Sequence, residues 1–166
     1  MIAGRAFVYG DQIDTDVLAP GAYMKRPLAE LAQHCLEAVD PNFASSVRRG
    51  DVIVAGSGFG IGSSREQAAQ ALIELGVGCV LAKSFARIFY RNALNLGLPV
   101  LVLDTPHAIA RGMRVEVDIA TGRVAVPALQ LDYSAQPIPP FLQALLADGG
   151  LIPHLKKRFA ARSART

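Results

Sequence analysis

The sequence predicts a single α/β domain, and three observations carry that reading. A short β-branched run, residues 51–55, opens into a glycine-rich loop and then into a stretch of helical periodicity, 64–75. Two further strand-like runs, 77–82 and 98–103, flank a second helical stretch, 87–96, which completes a β-α-β-α-β series. With 166 residues, of which 51% are hydrophobic and 19% charged, the chain can bury one core and has the size of one domain, 1–166.

The elements read in order from the N-terminus. A strand at 4–9 runs into the turn Gly10-Asp11-Gln12-Ile13-Asp14-Thr15-Asp16, which holds three carboxylates. Asp side chains commonly bond to nearby backbone N–H groups, so capping and chemistry are both open at this turn. Pro20-Gly21 breaks the chain. Leu28, Leu31, Ala32, Cys35, Leu36 and Val39 then follow helical spacing until Asp40-Pro41, which predicts one amphipathic helix. Gly50 and Gly56 bound the strand at 51–55, and Gly76 is placed to stop the helix at 64–75. Beyond Asp104, alternating runs at 113–119 and 123–126 joined at Ala120-Thr121-Gly122 predict a β-hairpin. Pro137, Pro139 and Pro140 form a stiff connector to a helix at 141–147, which Gly149-Gly150 ends or interrupts before 151–159.

Composition narrows the function classes. The net charge of +3 comes with Lys156, Lys157, Arg158, Arg162 and Arg165 in a basic tail at 156–166, without which the domain is close to neutral. A solvated terminal helix accounts for that tail, and nucleic acid is not the expected partner. Cys35 and Cys79 stand far apart, in no CxxC or Cys/His cluster, so this chain alone is not expected to hold zinc or an iron-sulfur cluster. Both read as small buried hydrophobes. The N-terminus has no charged region followed by an apolar stretch, and no run approaches eighteen apolar residues, so a cytoplasmic protein without membrane association is expected.

The loop Gly56-Ser57-Gly58-Phe59-Gly60-Ile61-Gly62-Ser63-Ser64 lies between a strand and a helix, the context of an anion site. Glycines allow close backbone approach, and a helix start offers unpaired N–H groups at the positive end of its dipole. No lysine stands in the loop and its glycines recur at every second residue, so neither common nucleotide-phosphate motif is matched. Ser63 or Ser64 as N-cap with Glu66 as its return partner would make a capping box. That leaves Arg65 in the first helical turn, where the dipole disfavours a cation by about 0.3–1 kcal/mol. A bound carboxylate gripped by the guanidinium would remove the conflict.

These stretches together resemble the swivelling domain of the aconitase superfamily, in particular the small subunits of two-subunit hydro-lyases such as 3-isopropylmalate dehydratase. The resemblance runs over about residues 3–158 and is carried by the Asp11–Asp16 turn, Gly50-Asp51-Val52-Ile53-Val54-Ala55-Gly56, Phe59-Gly60-Ile61-Gly62-Ser63-Ser64-Arg65-Glu66-Gln67-Ala68, Lys83-Ser84-Phe85-Ala86-Arg87-Ile88 and Arg91-Asn92-Ala93-Leu94-Asn95-Leu96-Gly97-Leu98. It implies a β/β/α swivelling fold, Ser63 as the base that takes a carbon-bound proton, and Ser64 and Arg65 as binders of the substrate carboxylate. It also implies that Asp11 lies near the substrate, with Asp14 and Asp16 shaping the turn, and that Lys83 and Arg87 brace the loop by salt bridges or face the site.

The cofactor implied is a 4Fe-4S cluster on a separate large subunit, with none in this chain. The substrate implied is a small dicarboxylate or tricarboxylate, first 3-isopropylmalate in leucine synthesis, with homoaconitate, citramalate or a dimethylmalate-type acid as alternatives. Tyr23-Met24-Lys25-Arg26 matches the substrate-selecting loop, where Lys25 and Arg26 either suit an additional carboxylate or point into solvent. Ile61 and Gly58 depart from the residues frequent at those positions, which bears on substrate rather than reaction. A nucleic-acid-binding module, using the loop and the basic tail for RNA, is the reading from a different class.

Overall fold

The computed structural model describes residues 1–104 and 108–163. In chain order the elements are β1 (Ile2–Val8), α1 (Thr15–Leu18), a 3-10 turn (Gly21–Tyr23), α2 (Leu28–Ala32), α3 (Phe43–Ser46), β2 (Val52–Ala55), α4 (Gln67–Glu74), β3 (Cys79–Ala82), α5 (Arg87–Leu96), β4 (Val100–Val102), β5 (Arg114–Val117), β6 (Arg123–Val126), a second 3-10 turn (Pro127–Leu129), β7 (Leu131–Ser134), α6 (Pro140–Ala147) and α7 (Leu151–Ser163).

All seven strands form one sheet in the order β4-β3-β2-β1-β5-β6-β7. β1 to β4 pair in parallel, β2 to β4 through the predicted β-α-β-α-β series, while β5, β6 and β7 are antiparallel. The seam is β1, which pairs in parallel with β2 (Ala6 opposite Val52) and antiparallel with β5 (Ile2 opposite Val117). Every position of β2 and β3 is buried, the pattern of parallel strands covered on both faces.

Four sequence readings change. The helix expected up to Val39 is helical only over Leu28–Ala32, because Leu36 takes a left-handed φ of 63° and its N–H turns to the carbonyl of Val17 (2.9 Å). Helical spacing of apolar residues also suits a chain of turns that buries Cys35 and Leu36. The helix expected from Ser64 starts at Gln67, and the capping box is absent: no side chain caps this helix. Strand β7 went unread because it is an edge strand whose residues are mostly exposed, held by backbone pairing with β6 rather than by apolar alternation. The last helix runs on to Ser163; Lys156, Lys157, Arg158 and Arg162 are exposed on it, and Arg165 lies outside the described residues.

Asp51 locks the start of β2 to β1. Its carboxylate accepts from the Arg5 backbone N–H (2.8 Å), Arg5 Nη2 (2.7 Å) and the Arg48 N–H (2.8 Å). Burial pushes this carboxyl up, but the Arg5 side chain and the two amides outweigh it and hold it below the usual range. A depressed folded value means the stabilisation is present above the unfolded carboxylate pKa of about 3.9 and is lost as pH falls through the folded value. Asp51→Asn is therefore expected to cost about 2 kcal/mol at neutral pH, read by urea unfolding. The gap to the unsubstituted chain should close in acid below about pH 4; a gap constant down to pH 2 would contradict the assignment.

Candidate functional site

Three loops leave the carboxyl ends of β1, β2 and β3 and are laced together by backbone hydrogen bonds. The first meets the glycine loop through Gly56 N–H to Gly10 O (3.0 Å), Gln12 N–H to Ser57 O (2.7 Å), Gly60 N–H to Ile13 O (2.7 Å) and Thr15 N–H to Ile61 O (2.9 Å). The third meets it through Phe59 N–H to Ser84 O (3.0 Å) and Ala86 N–H to Phe59 O (2.9 Å), while Ser84 Oγ accepts from Gly58 N–H (2.8 Å). Phe59 is fully buried and packs edge-on against Phe89 at 5.2 Å, which anchors the loop to α5.

Two glycines are required by close approach as well as by φ. At Gly60 (φ 80°) an added Cβ would enter the Phe89 ring, and at Gly62 (φ 119°) it would stand 2.7 Å from Thr15 Oγ1. Ser63 is thereby delivered beside Thr15. The Ser63 N–H donates to Thr15 Oγ1 (3.0 Å), and the two hydroxyl oxygens lie 3.2 Å apart. Ser63 therefore makes no cap bond, since its N–H and hydroxyl are engaged by Thr15, and the Ser64 hydroxyl makes none either.

With no cap, the amides of Ser64, Arg65, Glu66 and Gln67 donate to nothing among the described residues. Four successive N–H groups at and just before the start of α4 are thus left without a partner, an arrangement that suits an anion. Arg65 departs from expectation in another way. It precedes the helix, and its guanidinium forms an ion pair with Asp16 and donates from Nη1 to Ala19 O (2.9 Å). An intramolecular carboxylate thus already answers the charge that seemed to require a bound anion. Only Nη1 makes these contacts, so a guanidinium with five N–H donors keeps a free edge for a second carboxylate.

Two clefts meet at Ser63. One, of about 870 Å³, continues past Ile61 to Phe85, Arg87, Ile88 and Arg91. The other, of about 600 Å³, runs along Ser64, Arg65, Gln67 and Gln70. A smaller cleft at Gln67 and Gln70 extends to Met24 and Arg26. Arg26 thus borders the neighbourhood of the loop while forming a 3.7 Å ion pair with Glu30; Lys25 is exposed and lines none of these three clefts.

Asp11 lies at the entry of the loop rather than in the clefts of Ser63. Its Oδ1 accepts from Ser57 N–H (2.7 Å), and it shares a separate small cleft with Tyr9 and Lys83. Asp14 caps α1 by accepting from Val17 N–H (2.8 Å). The salt bridges expected of Lys83 and Arg87 are not made among the described residues. Asn92, nearly buried, instead braces the loop by donating to Ser64 O (3.4 Å). Thr15 and Asp16 acquire roles that reading the turn alone did not give them, because Ser63 and Arg65 are brought to them only by the fold.

Cys35 and Cys79 are buried, and burial pushes the Cys79 thiol up to about 12 and raises that of Cys35 as well. Thiols held protonated in an apolar core are poor metal ligands. No group of three potential metal-ligating side chains exists among the described residues, nor is any described helix long and apolar enough to cross a membrane.

The family model for the aconitase C-terminal domain matches residues 24–106. A 3-isopropylmalate dehydratase small subunit from Halothermothrix orenii is 48% identical over 93% of this chain and 95% of its own length. A 3-isopropylmalate dehydratase small subunit 1 from Thermotoga maritima is 47% identical over 95% of this chain and 96% of its own. The crystal structure of a 3-isopropylmalate dehydratase from Methanocaldococcus jannaschii superposes with a TM-score of 0.94 at 43% identity, covering 99% of both chains.

Proposed function

The chain belongs to the family of 3-isopropylmalate dehydratase small subunits, built on the aconitase C-terminal domain, and from that premise we propose how its residues act on 3-isopropylmalate. It is the small subunit of a hydro-lyase. The observation that carries the residue-level reading is the junction at Ser63: a hydroxyl where two clefts meet, next to four unpaired amides and an arginine with donors to spare.

A substrate carboxylate lies against the amides of residues 64–67, the Ser64 hydroxyl and the free edge of Arg65. The neighbouring substrate carbon then faces Ser63, whose Oγ, as alkoxide, takes the proton. The C–H bond breaks, an O–H bond forms on Ser63, and the electron pair becomes the new C=C as the hydroxyl on the adjacent carbon departs. Rehydration in the opposite sense completes the isomerisation. Unpaired amides and a guanidinium lining the same cleft as Ser63 favour an anionic oxygen there, which a free serine lacks. Asp11 acts at one remove in this scheme, pinning the loop at Ser57.

The partner is a large subunit carrying a 4Fe-4S cluster, which supplies Lewis-acid activation of the departing hydroxyl. The buried thiols of this chain do not suit a cluster, and the wide cleft beside Ser63 suits a protein surface: Ile61 and Ile88 along it are 46% and 42% exposed. The pair works in the cytoplasm, in leucine synthesis. Arg26, which shares a cleft with Gln67 and Gln70, is where a longer or more acidic substrate would be tested, whereas Lys25 is exposed and lines none of these clefts. An RNA ligand is not favoured, since the basic residues sit on α7, where Lys157 is paired with Asp148 (2.6 Å).

Co-expression with the large subunit should give a complex that converts 3-isopropylmalate, whereas the isolated chain is inactive. Ile88→Glu should weaken that complex at least about tenfold in Kd, since a charge is placed where an apolar contact forms. A complex that forms but turns over none of 3-isopropylmalate, homoaconitate, citramalate or dimethylmalate would sink the reading. Faster turnover of homoaconitate would move the substrate towards the tricarboxylates.

A further inference from the structure

We infer that Thr15 is a positioning residue that sets the Ser63 hydroxyl for proton transfer; this rests on the proposed role of Ser63. Thr15 is 2% exposed, at the first position of α1, and three of its atoms or contacts address the glycine loop. Its N–H donates to Ile61 O (2.9 Å), its Oγ1 accepts from Ser63 N–H (3.0 Å), and the same Oγ1 is 3.2 Å from Ser63 Oγ. Gly62 is a glycine in part because Thr15 stands against it.

The hydroxyl inventory fixes the direction of this pair when Ser63 is the base. A threonine hydroxyl has one proton and two lone pairs. One lone pair receives the Ser63 amide, and the proton has no other acceptor among the described residues. Thr15 therefore donates to Ser63 Oγ whenever that oxygen is an alkoxide, and lends it a hydrogen bond that strengthens as negative charge develops. A buried donor held at its own backbone also keeps Ser63 in one rotamer, so its remaining lone pairs face the clefts. Of the surrounding charges, Arg65, Glu66, Arg87 and Arg91 lie on the loop or line its clefts and Asp16 reaches Arg65 from α1; Thr15 is the neutral contact behind Ser63.

The test uses the assembled two-subunit enzyme with 3-isopropylmalate. Thr15→Val keeps the shape and removes the donor, Thr15→Ala also removes the bulk, and Thr15→Ser restores the hydroxyl. Both donor-less variants should lose about a hundredfold in kcat with KM within about threefold, the pattern of an interaction made in the transition state. Thr15→Ser should recover most of kcat. If Thr15→Val fails to assemble, the Ala and Ser pair gives the same comparison. The proposal falls if Val and Ala keep kcat within about threefold, if only KM moves, or if Ser is as slow as Val, which would make Thr15 a packing residue. Ser63→Ala measured alongside separates the two claims: full turnover there overturns the role of Ser63 itself, whereas a dead Ser63→Ala beside an active Thr15→Val overturns only this inference.

Discussion

Ser63→Ala in the assembled enzyme is expected to lower kcat for 3-isopropylmalate by about 10³-fold, the mid-range cost of deleting a general base. KM should stay within a few-fold, because the proposed carboxylate contacts come from the amides of residues 64–67 and from Arg65. The substitution is mild for the fold. Ser63 is exposed, and its N–H keeps the bond to Thr15 Oγ1, which the backbone makes whatever the side chain. Steady-state kinetics read the split, and denaturation of the isolated chain reads the fold. Turnover above a tenth of the unsubstituted rate would remove Ser63 from the chemistry. A large rise in KM with kcat unchanged would reassign it to binding.

Gly60→Ala is expected to damage stability and turnover together. A left-handed φ costs a residue with a Cβ about 1–2 kcal/mol, and displacing the Phe89 ring adds about 1–3 kcal/mol of overpacking. About 3 kcal/mol should therefore appear in the unfolding free energy, read by urea denaturation. Gly58→Ala is the matched control. It has a similar φ of 72°, but its nearest neighbour is Gln12 Cγ at 3.8 Å, so only the backbone cost of about 1 kcal/mol applies. Equal losses in the two variants would mean that Phe89 yields freely. Activity should fall more steeply in Gly60→Ala, because Ser63 lies three residues on and small misplacements are costly near the reacting atoms.

The parts legible in the sequence were those governed by local chemistry. The helix Arg87–Leu96 runs end to end as read, because Gly97 closes it in a left-handed conformation (φ 92°) and the extended Ala86 opens it. The glycine loop was readable from its glycines as the connection between a buried strand and a helix. What the sequence hid depends on residues far along the chain. The start of α4 was misplaced because nearby serines looked like caps, whereas Thr15 engages Ser63. Arg65 looked unpaired because Asp16 is brought to it only by the fold. The helix assigned up to Val39 failed for the same reason, since the partner of Leu36 N–H is Val17.

The lacing of the first two loops has a numerical regularity. In the sheet, Ala6 stands opposite Val52, an offset of 46 residues. Arg5 meets Asp51, Asp11 meets Ser57 and Ala19 meets Arg65 at that same separation, and Thr15 meets Ser63 at 48. The glycine loop is thus a prolongation of one parallel pairing, run past the last ladder bond and slipped by only two residues at Ser63. The placement of Ser63 beside Thr15 follows from the carboxyl ends of two central strands of the sheet. For that placement to hold, the two short arms that leave β1 and β2 must stay in step.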